Sequence, residues 1–173
     1  AAETEKVRAG VAAVITLVAK GPVGQQVMAT AAVRDVLVAM GRAGSGAAVV
    51  EALHTVAQCV QGQRVLATEA VRDMLVHMGR GWENHDVPYY VCEVITRVAG
   101  CEQGMRVMAT AAVRDMLVEM ARNADGDHTI IAGVLEVIRR LAGCEPGKRV
   151  MATEAVRDML LGLGRETNGP HRA

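Results

Sequence analysis

Five histidines and four cysteines are the side chains with the most chemistry to offer. His54, His77, His85, His128 and His171 keep no regular distance from one another or from Cys59, Cys92, Cys101 and Cys144. No spacing among them is that of a zinc site. Ser45, the only serine, lies in a Gly-rich stretch, and no Ser or Cys stands where a strained turn would present a nucleophile to a base. A Gly-rich phosphate loop is also missing. These residues point to a chain that is not an enzyme and needs neither cofactor nor metal.

A second set is more ordered. Glu51, His54 and Thr55 are followed by Glu93, Thr96 and Arg97, then by Glu136, Arg139 and Arg140. Each trio has i, i+3, i+4 spacing and so shares one helix face. Tyr89 and Tyr90 precede Glu93 by four and three residues, and with Trp82 they are all the aromatic residues of the chain. Such rings anchor interfaces because they exclude water while a polar tip stays bonded. The chemistry available is therefore recognition by ion pairs, hydrogen bonds and ring contacts. The same spacing also suits solvated Glu–Arg pairs contributing ~0.2–0.5 kcal/mol each, and the rings would equally serve to close a core beneath their loop.

What must position these residues is a repeat. VMATAAVRDVLVAMGR at Val27 returns as VLATEAVRDMLVHMGR from Val65, VMATAAVRDMLVEMAR from Val107 and VMATEAVRDMLLGLGR from Val150. Within it Val113, Met116, Leu117 and Met120 form an apolar helical stripe. Thr110 is placed to cap that helix, and Val107 and Met108 to start a shorter one before it. A Gly-, Asn- and Asp-containing turn follows, then another helix, with Val91, Val94, Ile95 and Val98 buried, Asp86 and Pro88 at its start and Gly100 or Gly143 at its end. Arg34–Asp35, Arg72–Asp73, Arg114–Asp115 and Arg157–Asp158 recur unchanged, which suits a structural stacking ladder, for instance of Arg to the next unit's Asp, better than a ligand site. Cys59, Cys101 and Cys144 share one register position, so they sit one rung apart, about 8–10 Å, too far to bridge. They read as free buried thiols.

Composition narrows the partners. Nineteen basic and nineteen acidic residues cancel, against the basic footprint of a nucleic-acid binder. Charged residues interrupt every apolar run before ~18 residues, so no membrane span is expected. The opening AAETEKVRAG lacks the features of a secretory signal. The expected setting is intracellular, in the cytoplasm or else the nucleus.

The order of short helix (GMRVMAT), second helix (AVRDMLVEMAR) and long third helix (HTIIAGVLEVIRRLAGC) resembles the armadillo repeat along nearly the whole chain. The resemblance implies an all-α, right-handed α-solenoid of three-helix repeats in a single domain over 1–173. A third helix alone would fill a partial repeat at 1–26, with complete repeats at 27–64, 65–106 and 107–149 and a partial repeat at 150–173. HEAT-like repeats of two helices are the alternative. Where armadillo repeats carry Gly between the first two helices, this chain has Ala31, Glu69, Ala111 and Glu154, and a helix unbroken through Thr110 competes with a turn. The Trp and Asn that clamp peptides in nuclear import receptors are replaced by Glu51 and Thr55, Glu93 and Arg97, and Glu136 and Arg140. By this likeness the polar trios, with Tyr89 and Tyr90, line a concave face that binds a partner protein or peptide. Two other readings stand beside it. VRAGVAAVITLVAK is apolar where solenoid ends are usually polar, which suits a longer or self-assembling solenoid. Arg97, Arg139, Arg140 and Lys148 could instead meet nucleic acid on a HEAT-like scaffold.

Overall fold

The computed structural model describes residues 2–44, 46–82 and 84–167. Ser45 and His171 lie outside them. The described residues form twelve helices and no strand: α1 (Ala2–Val18), α2 (Pro22–Met28), α3 (Ala31–Arg42), α4 (Gly46–Val56), α5 (Val60–Leu66), α6 (Glu69–Arg80), α7 (Asp86–Val98), α8 (Glu102–Met108), α9 (Ala111–Asn123), α10 (His128–Leu141), α11 (Glu145–Met151) and α12 (Glu154–Thr167). Among the described residues no helix is long and apolar enough to cross a membrane.

The helices associate in three rows. α1, α4, α7 and α10 pack side by side, as do α3, α6, α9 and α12, and the short α2, α5, α8 and α11. The core lies between the first two rows, where α4 packs on α3, α7 on α6 and α10 on α9. Leu75, Leu117, Val91, Val94, Ile95 and Val98 are fully buried there, as the helical periodicity requires.

The joint between short and second helix is a break made without glycine. Ala29, Ala67, Ala109 and Ala152 adopt φ −74 to −78° and ψ 60 to 69°. The following threonine N–H donates two residues back, to Met28, Leu66, Met108 or Met151, at 2.8 Å each. This is the inverse γ-turn, an ordinary negative-φ conformation, so a Cβ is no obstacle and the missing glycine costs nothing. Thr30, Thr68, Thr110 and Thr153 then cap the next helix, accepting from the N–H three residues on.

Three expectations change. Val27, Val65, Val107 and Val150 end short helices rather than begin them, so unit boundaries at those residues cut through α2, α5, α8 and α11. The short helix begins five residues earlier, and in α5, α8 and α11 its start is fixed by a cysteine. Cys59, Cys101 and Cys144 sit at the N-cap, half-buried rather than buried, and each Sγ accepts from the Gly62, Gly104 or Gly147 N–H at 3.3–3.4 Å. The recurring Arg–Asp pairs do not join an Arg to the next unit's Asp. Arg34 and Arg114 each bond the adjacent Asp and also donate to a carbonyl of the next unit, Val65 or Val150, at 3.4 Å. A carbonyl accepts without the desolvation cost of a second charge, which favours it at a packed joint.

The same thiols mark a tight contact. Cys101 donates to the Val98 carbonyl at 3.5 Å, and a Cβ built on Gly104 would lie 1.9 Å from that same oxygen. Gly24, Gly62 and Gly147 meet Val18, Val56 and Leu141 carbonyls equally closely. Each short helix thus rests backbone on backbone against the end of the preceding long helix.

Candidate functional site

The row α1, α4, α7, α10 carries the polar trios. Because α4 and α7 pack together, the first two trios meet: His54 Nδ1 lies 3.9 Å from Glu93 Oε2, and Arg97 Nη2 lies 3.4 Å from the same oxygen. Tyr90 stacks obliquely on His54 with centroids 5.5 Å apart, and Tyr89 meets Tyr90 edge-on at 5.2 Å. Glu51 is close enough to raise the Tyr90 pKa, although burial of the phenol is the larger cause. Tyr89 is exposed; Tyr90, Glu51, Glu93, Thr96 and Arg97 are half-buried.

Two polar atoms in this cluster are buried without a hydrogen-bond partner, His54 Nδ1 and Arg97 Nε. Leaving such a group unpaired costs about 1–3 kcal/mol. Burial holds the His54 pKa below 6.5, the Arg97 guanidinium adds to the shift, and Glu93 and Glu51 oppose it. In the folded chain His54 therefore takes a proton less readily than in the unfolded chain. Its contribution to stability is present above 6.5 and is lost as pH falls below 6.5 toward the folded value. We expect the urea midpoint to fall through that window and the H54Q variant to show a smaller fall, read from paired titrations. Equal falls in both chains would remove His54 as the cause.

Thr55 does not belong to the accessible stripe. It is buried, and its hydroxyl donates to the Glu51 carbonyl at 2.9 Å, so the i−4 backbone takes its only donor. The third trio stands somewhat apart. Arg139 and Glu136 form a two-pronged ion pair at the surface, which lowers the Glu136 pKa chiefly through that hydrogen bond. Arg140 reaches toward α5 and α7 instead: a Cβ built on Gly100 would lie 3.2 Å from its Nη2 and 3.3 Å from Gln63 Oε1.

Sequence reasoning missed Gln25 and Gln58. Gln58 Nε2 contacts His54 Nε2 at 3.4 Å, and Gln25 Nε2 donates to Gln58 Oε1 at 3.2 Å, extending the cluster across α2. The available signal was Gln58 itself, which follows His54 by four residues. Trp82 lies elsewhere. Its ring contact is His85, at 5.4 Å, and not either tyrosine, and it lines a cleft of about 580 Å³ with Glu5, His77 and Met78. Among the described residues no group of three His, Cys, Asp or Glu could hold a metal ion.

Comparison with known protein families, with characterised proteins and with solved structures finds no match.

Proposed function

We propose that the chain is an α-solenoid of armadillo type and acts, without catalysis, as an interaction module that binds a partner protein or peptide across the α4, α7 and α10 face. The alternation of a seven-residue helix with two longer ones favours three-helix units over the two-helix HEAT pattern. Four free cysteines suit a reducing intracellular compartment, the cytoplasm or nucleus.

The observation that carries this reading is the part-exposed Arg97 guanidinium, held on one side by Glu93, beside an exposed tyrosine. A guanidinium has five donors, and Arg97 shares one weakly with Glu93. A partner segment offering carbonyl or carboxylate oxygens completes that set, while Tyr89 and Tyr90 cover the contact from water. The nucleic-acid reading is weaker, since Arg139 and Lys148 are each matched by a carboxylate on the same helix and the nineteen basic residues are balanced by nineteen acidic ones.

Panning a random peptide library on the wild-type chain and on R97E/R140E tests this. Peptides enriched on the wild type should lose at least about tenfold in affinity on the variant, roughly 1.4 kcal/mol, with helical circular dichroism unchanged. Equal binding to both chains would place the interaction elsewhere.

A further inference from the structure

The first and last long helices of the described residues expose complementary faces. On α1, Val7, Val11, Val14 and Val18 fall at i, i+4, i+7 and i+11 and form one stripe, 63%, 41%, 59% and 43% exposed. The matching positions of α7 are Val87, Val91, Val94 and Val98, at most 6% exposed. The difference is that α7 packs on α6, the helix before it, whereas α1 has no such helix among the described residues. At the other end, Leu160 and Leu161 of α12 are 42% and 52% exposed, while the matching Leu117 and Val118 of α9 are 0% and 4%. There α9 is followed by α10, which packs on it, and α12 has no such follower among the described residues.

We propose that this face of α1 docks on α12 of a second copy of the chain, head to tail. Each end then supplies what the other lacks: α11 and α12 of one copy become the first two helices of a unit whose third is α1 of the next. The same docking sets α1 against α10 and α3 against α12, repeating the α7–α10 and α9–α12 neighbour relations found within the chain. Complementarity in register selects a second copy over an unrelated apolar partner, because the stripe spacing on α1 is the one that α7 and α10 already present to α6 and α9. The contact is heterologous, so it propagates into rings or open filaments and does not stop at a two-fold dimer.

The test is mass against concentration for the whole chain, by light scattering or sedimentation, from micromolar to hundreds of micromolar. The mean mass should climb from 18.3 kDa past that of two chains. V14E and L161E, each at an exposed position, should both remain monomers with unchanged helical content. Mixed, they should form a 1:1 dimer and nothing larger, because one intact α12 end and one intact α1 end remain. If V14E disturbs folding, V7E takes its place. A wild-type chain that stays monomeric overturns the proposal. So does a mixture that fails to pair, or an L161E chain that still dimerises, the mark of a symmetric α1–α1 contact.

Discussion

Gly104→Ala should cost the chain about 3 kcal/mol, although it adds a single methyl group and improves local helix propensity. The added carbon would lie 1.9 Å from the Val98 carbonyl oxygen and 2.9 Å from a Val98 methyl, and the nearest obstacle is backbone, which cannot rotate aside. Either α8 lifts off the end of α7 or the Cys101 cap is broken, and both spread into the packing of the neighbouring helices. At roughly 2–4 °C per kcal/mol for a chain of this size, thermal unfolding should move down by about 6–12 °C. Gly10→Ala is the control, since the space around Gly10 is open and its helix is exposed there. That change should be neutral or stabilise by up to about 1 kcal/mol. A G104A chain as stable as the wild type would mean that α8 does not lie on the Val98 carbonyl in solution.

Leu117→Ala is the second large effect. Leu117 is fully buried on α9, within the core between the two long rows. Truncation should cost about 2–5 kcal/mol, the range for a leucine whose cavity closes only in part. Leu160 occupies the same register position on α12 and is 42% exposed, so Leu160→Ala should cost under about 1.5 kcal/mol at dilute concentration. Both are read from urea unfolding. Register and the five preceding residues, AVRDM, are shared, so the difference between the two variants measures chiefly burial. Equal losses would show that the α12 position is as enclosed as the α9 position.

Periodicity made the long helices legible, because a stripe such as Val113, Met116, Leu117 and Met120 can be satisfied only by a helix with one buried face. The threonine caps were legible for a similar reason, since one hydroxyl before an apolar run has one obvious employment. The short helices were misplaced. Their first residues carry no periodic signal over only seven positions, and a cysteine is not a usual cap, so nothing in the local composition marked Cys101 as the start of α8. The γ-turn at Ala109 was hidden by the habit of seeking glycine at sharp joints, which fails where the turn keeps φ negative. In the candidate site, intra-helix spacing revealed Glu93 with Arg97 and failed for Thr55, because i+4 spacing from a surface residue can also point inward between two packed helices. The His54–Glu93 and Gln25–Gln58 contacts join residues 39 and 33 apart in the chain and depend on how α4 meets α7 and α2. Spacing along one helix holds no information about them.

The backbone-on-backbone seat of each short helix separates shape from chemistry. Gly24, Gly62, Gly104 and Gly147 rest on carbonyl oxygens, and the angle at which one layer follows another is set by atoms that every residue type shares. Outward side chains along α4, α7 and α10 can therefore be exchanged without bending the row that carries them. A chain built this way can be re-lettered at its outward positions alone, as a type tray keeps its pitch whatever text is set in it.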